Sequence, residues 1–122
     1  MKKLWNIRKA SLDDAYGFRL CMDFAYAPYI ERMNGLRLPP MDSDYEFEIQ
    51  YFPTWVVDFE GKIAGGLIMV FEKSYATIAN VAIHPAYQGE GIGGSLIRFA
   101  EKAAKYKKYT QLRLATHVLL HE

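Results

Sequence analysis

A single cysteine, Cys21, stands in the chain of 122 residues, so no internal disulfide can form. Its neighbours Leu20 and Met22 suggest a helix in the core, and nothing local marks the thiol as a nucleophile. Charge of one sign is also lacking. Lys plus Arg number 15 and Asp plus Glu 14, which leaves a net charge of +1. That balance gives no electrostatic case for a nucleic acid or a membrane surface as partner. Long apolar runs are missing too. The longest, Ile63 to Phe71, falls far short of the ~20 residues of a membrane span. The charged start Met1-Lys2-Lys3 is not followed by a signal-peptide apolar core. A soluble protein of a reducing, cytoplasmic compartment is therefore expected. No repeat, linker or low-complexity segment interrupts the chain, whose 51% hydrophobic and 24% charged residues suit one globular domain over 1–122.

Read in order, Leu4 to Lys9 alternates and predicts a first strand. Ser11 then caps a helix whose first turn carries Asp13 and Asp14, with Leu12, Ala15, Tyr16, Leu20, Phe24 and Ala27 at roughly helical spacing. Pro28 is expected to end that helix or to open a second one through Tyr29 to Met33, and Asn34-Gly35 is a stop. Leu36 to Asp44, with Pro39-Pro40, reads as an irregular loop. Around it, Tyr26, Tyr29, Tyr45 and Phe47 could wall a pocket or form a second small core. Asp44, Glu46 and Glu48 could bind a cationic substrate or make a solvated face.

Thr54 to Phe59, the turn Glu60-Gly61-Lys62, and Ile63 to Phe71 predict a hairpin, with a bulge or a close backbone approach at Gly65-Gly66. Tyr75 to Ile83 returns as the third strand of a meander. Nearly continuous apolar runs in the central arms predict that both sheet faces are covered. Ile92, Leu96, Ala100 and Ala104, joined by Ile97 and Ala103, then mark an amphipathic helix whose basic residues gather towards its C-terminus. Gln111 to Val118 is a further strand, parallel to the Tyr75–Ile83 strand with the helix as crossover.

The stretch Gln88-Gly89-Glu90-Gly91-Ile92-Gly93-Gly94 sits between the third meander strand and that helix. Strand, glycine-rich turn and helix start together make an anion site. Glycines let several N–H groups converge without β-carbons in the way, and the helix start adds unpaired N–H groups and the positive end of its dipole. A purely conformational turn is the plainer reading. Gly89-x-Gly91-x-x-Gly94 also matches the letters of a dinucleotide fingerprint. However, a His-Pro linker separates it from its strand, no acid ends the next strand, and a meander precedes it. A Walker loop is excluded, since no Lys-Ser/Thr pair follows the glycines.

Val81-Ala82-Ile83-His84-Pro85-x-x-Gln88-Gly89-x-Gly91-Ile92-Gly93-x-x-Leu96 resembles the signature of the GNAT superfamily of N-acetyltransferases. In that family the acetyl-coenzyme A loop reads Gln/Arg-x-x-Gly-x-Gly/Ala. The element order is similar as well. Pro40-Met41-x-x-Asp44-Tyr45 with Tyr26-x-x-Tyr29 resembles a subset of small bacterial members, which would place Tyr29, Asp44 and Tyr45 at the acceptor pocket.

The resemblance implies an α/β acyl-CoA N-acyltransferase fold, a mixed sheet with helices on both faces. It implies transfer of acetyl from acetyl-coenzyme A to a primary amine by direct attack, with no metal. Gln88, Gly89, Glu90, Gly91, Ile92, Gly93 and Gly94 would hold the pyrophosphate. Val81, Ala82 and Ile83 would meet the pantetheine arm in a slot between splayed strands, a main-chain N–H there polarising the thioester carbonyl.

Two departures qualify the catalytic expectation. Thr77 stands where some relatives carry a glutamate base, which leaves His84 or His117, and His117 is preferred because a histidine beside proline has a structural use. Relatives also continue with Asn-x-x-x-x-Tyr on a helix and a final strand pair, absent from these residues. The expected consequences are a homodimer formed through the open strand edge at Leu112–Val118, or a non-catalytic coenzyme A-binding remnant of the fold that self-associates. The acceptor amine is not legible.

Overall fold

Five stretches long enough to alternate pair into one sheet of order β1-β2-β3-β4-β5. A computed structural model describes residues 4–32 and 43–115, the side chains of 29–32 excepted. The strands are β1 (Trp5–Lys9), β2 (Thr54–Phe59), β3 (Lys62–Phe71), β4 (Ala76–Ile83) and β5 (Leu112–Leu114). The first four form an antiparallel run, and β5 joins β4 in parallel, Ala76 opposite Leu112 and Ile78 opposite Leu114. Helix α3 (Ile92–Tyr106) connects β4 to β5, as the crossover reading requires. Among the described residues no helix is long and apolar enough to cross a membrane.

Both sheet faces are covered, which explains the lack of alternation in the central strands. Against α3 lie Val57, Leu67, Met69, Ile78, Val81 and Ile83, packed with Ile92, Leu96, Ala100 and Ala104. Against the other face, helix α1 (Ala15–Arg32) and the short α2 (Tyr45–Tyr51) set Phe18, Met22, Tyr26 and Tyr45 on Val56, Ile68 and Ala82.

Two bulges set which face each residue meets. In β3 the register slips opposite Val57 and Asp58, leaving Ala64 as the extra residue just before Gly65. In β4 the slip falls between Ile68 and Met69 of the partner, so Ala79 is extra. Ala79 and Asn80 consequently both turn to the α1 side, and Ile78 and Val81 both face α3. Gly66 confirms the close approach expected from the glycine pair: a β-carbon there would run into the ring of Phe18.

The α1 region departs from expectation in three ways. First, the expected core stripe is the wrong one. Leu12, Tyr16, Leu20, Phe24 and Ala27 are exposed, and Phe18, Cys21, Met22 and Tyr26 are buried. The helix is apolar around most of its circumference, so periodicity alone offers two candidate stripes; Gly66 decides between them by admitting Phe18.

Second, Pro28 neither ends nor opens a helix, because α1 runs through it to Arg32. Proline in a helix interior costs about 3 kcal/mol, chiefly through the lost bond to the carbonyl four residues back. Here that carbonyl belongs to Phe24, on an exposed turn where water can replace the bond.

Third, Tyr29 to Arg32 continue α1 and open no second helix, and among the described residues the next helix begins at Tyr45. Asp44 is its N-cap, accepting from the Phe47 N–H at 3.2 Å, and Glu46 and Glu48 favour its first turn. Tyr45 and Ile49, one turn apart, are its buried pair.

Arg8 ties β1 to the start of α1. Its guanidinium donates to both Asp14 oxygens at 2.8 and 2.9 Å and to Asp58 Oδ2 at 3.0 Å. Asp14 also accepts from the Ser11 N–H at 2.8 Å, the capping box of the short 3₁₀ turn Leu12–Asp14. Arg8 holds both carboxyls below the usual carboxylate range. A depressed folded-state value means that the stabilisation is complete above the unfolded value, near 4, and is lost as pH falls through the lower folded one. Arg8→Ala is expected to cost about 1–2 kcal/mol at pH 7. In urea unfolding, the gap to the wild type should close as the pH approaches the folded carboxyl values.

Candidate functional site

The site begins where β4 ends. His84 donates its N–H to the Ala64 carbonyl at 2.8 Å, and its Nδ1 accepts from the Ala86 N–H at 3.0 Å. It thereby caps the one-turn 3₁₀ helix Pro85–Tyr87, with Pro85 at the first position, where a missing N–H costs nothing. The His84 ring packs on Phe24 of α1 at 4.8 Å and on Tyr87 at 5.7 Å between centroids. Burial holds the imidazole below its usual value. An acceptor Nδ1 and a lowered value describe a neutral histidine whose Nδ1 is taken up by the cap. Cys21 is structural: it is buried against the same link, and burial pushes its thiol up to about 12.

Gln88, Gly89, Glu90 and Gly91 are exposed. Gly89 has φ +87° and Gly91 φ +77°, both in the left-handed region that side-chain-bearing residues rarely adopt. A β-carbon at either would meet nothing within 4 Å. Backbone conformation, and not crowding by the protein itself, therefore requires these two glycines, and the space beside them is open. Gly91 is also the N-cap of α3, its carbonyl accepting from the Ser95 N–H at 3.2 Å. The amides of Ile92 and Gly93 belong to the first turn, with no carbonyl one turn back inside the helix. That first turn carries no acidic residue, so the positive end of the helix dipole is not cancelled there. An exposed loop, two left-handed glycines and a helix N-terminus thus meet at one end of β4, a geometry suited to an anion.

Val81, Ala82 and Ile83 are buried and pair with Leu67, Gly66 and Gly65 of β3. On the other side of β4 the pairing with β5 covers Ala76 to Ile78, and the Ala115 N–H donates to the Ile78 carbonyl at 3.1 Å. The facing stretch beyond Ala115 lies outside the described residues, and with it His117 and the slot expected between these strands. The side chain of Tyr29 also lies outside them.

Asp44 and Tyr45 come together at the N-terminus of α2. With Ala15, Tyr16, Arg19, Ser43 and Glu46 they line a cavity of about 310 Å³. Tyr45 is also core, its ring 5.0 Å from Phe18. Both readings of the aromatic cluster therefore hold in part. Behind the cavity is a polar group that sequence reasoning missed. The Tyr26 hydroxyl donates to Asn80 Oδ1 at 3.2 Å in a buried setting, and the Tyr45 hydroxyl reaches Asn80 and Ser43. Burial pushes the Tyr26 phenol up to about 12 and the Tyr45 phenol well above its usual range. One polar letter inside the apolar run Ile78–Ile83 was the available signal.

The family described as acetyltransferase (GNAT) domain matches residues 50–121, which takes in the meander, the glycine loop and α3. The chain belongs to this family. A candidate ribosomal protein bS18 alanine N-acetyltransferase of Bacillus subtilis (strain 168) is 29% identical, over 73% of this chain and 72% of that relative. The same GNAT fold recurs in solved structures. A ribosomal-protein-alanine N-acetyltransferase from Brucella melitensis biovar Abortus 2308 superposes with a TM-score of 0.72 at 18% identity, covering 96% of this chain and 82% of that one. The PaiA N-acetyltransferase of Thermoplasma acidophilum, solved with coenzyme A, gives 0.72 at 23% identity, covering 93% and 79%. At these identities the solved GNAT structures speak for the fold.

Proposed function

We propose that this GNAT chain moves the acetyl group of acetyl-coenzyme A to a primary amine by direct attack. The observation that carries the reading is the exposed Gln88–Gly91 loop, with Gly89 and Gly91 in left-handed conformations at the start of α3. That loop fits a pyrophosphate on the chemistry of its own donors, which are main-chain amides beside a helix whose first turn carries no acid, Glu90 standing just before the N-cap. In this reading Gln88 to Gly94 hold the phosphates, and main-chain groups of Val81, Ala82 and Ile83 align the pantetheine arm. Acetyl-coenzyme A supplies the activated thioester. A β4 amide stabilises negative charge developing on its carbonyl oxygen.

The acceptor side is assigned to the cavity at Asp44 and Tyr45. Asp44 and Glu46 there suit a cation, and a free alkylamine with a pKa near 10 arrives as one. Proton removal must then precede attack. His117 is the residue assigned to it, since His84 is committed to capping. The names of two of the three relatives, directed to the alanine of a ribosomal protein, support a peptide N-terminal amine as the first acceptor to try.

Titration calorimetry with coenzyme A, followed by thiol-release assays on alanine-initiated peptides and small amines, tests the proposal. A folded sample that binds no coenzyme A would overturn it. Binding without transfer to any amine of the panel would leave the non-catalytic reading in its place. Self-association is part of the proposal. It is supported by Leu114, 56% exposed on β5, the last strand of the described sheet. A monomeric mass in light scattering at working concentration would remove that part.

A further inference from the structure

Near-zero net charge conceals an uneven distribution. Arg8 makes ion pairs with Asp14 and Asp58 and lines a groove with Gly17 and Leu20 on the α1 face. The opposite face is different. Ser95, Arg98, Phe99 and Lys102 of α3 line a cavity of about 410 Å³ with Trp5, Asn6 and Ile7 of β1, and no carboxylate contributes to it. The surface continues beyond the cavity through aromatic contacts. Phe99 meets Trp55 edge-on at 5.2 Å, Lys9 Nζ sits 4.7 Å over the Trp55 ring, and Lys107 Nζ sits 5.2 Å over Phe71. Arg98, Lys102, Lys107 and Lys9 are exposed. Although Lys9 is exposed as a whole, partial desolvation of its ammonium over Trp55, and then repulsion from Lys107, pull it below its usual range. Cations are thus gathered along one strip interleaved with aromatic rings, without acids to neutralise them in the cavity.

We propose that this strip binds single-stranded RNA, seating one base in the cavity beside Trp5 and Phe99 and neighbouring phosphates on Arg98, Lys102, Lys9 and Lys107. An acidic peptide would use the cations and leave the rings idle. A base uses both, because stacking on aromatic faces and a positive track for the backbone are the two components of single-strand binding. A cavity of this size takes one unpaired nucleotide, and a paired base is not free to enter it. Asn6 and Ser95 add the polar groups that a ribose 2′-hydroxyl needs. Ser95 Oγ accepts from Arg98 Nη2 at 3.3 Å, so its own proton remains to donate. The strip begins at Ser95, one residue past the glycine loop, and runs from there along α3, and the proposal does not rest on the acetyl-transfer reading.

Anisotropy of a fluorescein-labelled adenosine 12-mer RNA, titrated with the full chain, tests it. Binding at 50 mM salt is expected, weakening about fiftyfold by 200 mM salt if four phosphates are engaged. The Arg98→Glu/Lys102→Glu chain should lose at least about tenfold in RNA affinity and keep its coenzyme A affinity. Absence of binding at 50 mM salt overturns the proposal, as does undiminished binding by the double variant. Equal binding of the matching DNA removes the 2′-hydroxyl role and overturns the assignment to RNA. Parallel loss of coenzyme A affinity would assign these side chains to the cofactor and overturn it too.

Discussion

A Gly91→Glu chain is expected to lose coenzyme A affinity by about a hundredfold or more, which is near 2.7 kcal/mol or above. Three effects act together. The carboxylate would stand at the N-cap of α3, in the space proposed for the phosphates, and like charges repel there at short range. It would offset the dipole that favours an anion. It would also strain a backbone at φ +77°, a conformation that costs a side-chain-bearing residue about 1–2 kcal/mol. The fold should survive, because a β-carbon at Gly91 meets nothing within 4 Å. Gly91→Ala separates the terms, since it carries the strain without the charge and should fall between the two. Calorimetry with coenzyme A beside urea unfolding of all three chains gives the comparison. Wild-type affinity in Gly91→Glu would detach the loop from the cofactor.

The largest expected effect on stability lies elsewhere, at Gly66. Gly66→Val should cost about 3 kcal/mol, or about 10 °C in melting temperature. The added side chain would enter the ring of Phe18, which is buried and held against Tyr45. Flexible side chains at a surface can yield to such an intrusion; a ring enclosed in the core must displace its neighbours. If the clash is the cause, Phe18→Leu in the Gly66→Val background should recover part of the loss, although Phe18→Leu alone is destabilising. Such non-additivity is what contact between the two sites predicts. Additive losses would mean that Gly66 matters for another reason.

The elements that could be read from the sequence are those with one dominant signal. The meander was bounded by polar turns and built from apolar runs too long to be half-exposed. Helix α3 had one apolar stripe and a basic opposite face, so its buried residues followed directly. The α1 region lacked such a signal. Two apolar stripes competed on one helix, and the residue that chose between them, Gly66, lies 48 positions from Phe18 in sequence. Helix α2 is only seven residues long, so in the sequence Asp44 is one of several loop acids, and only the folded chain gives it the capping bond to Phe47. The shape of the glycine loop was legible because its requirement is local: positive φ at Gly89 and Gly91 selects glycine, and glycine is visible as a letter. The Tyr26–Asn80–Tyr45 group was not legible, because its three members come from three elements and meet only after folding.

The glycine loop has one more consequence. Its shape is carried by peptide groups, and its two left-handed positions point their missing side chains at empty space. On the proposed reading, such a surface would register the charge and curvature of an anion chiefly through main-chain amides, with only the side chains of Gln88 and Glu90 exposed beside them. Choice between one acyl donor and another must therefore be exercised farther along, where β4 would lie against the thioester arm, and evolution is free to retune that choice without touching the glycines. On the proposed reading, the loop would be a handle common to many donors, and discrimination among them would belong to the strand behind it.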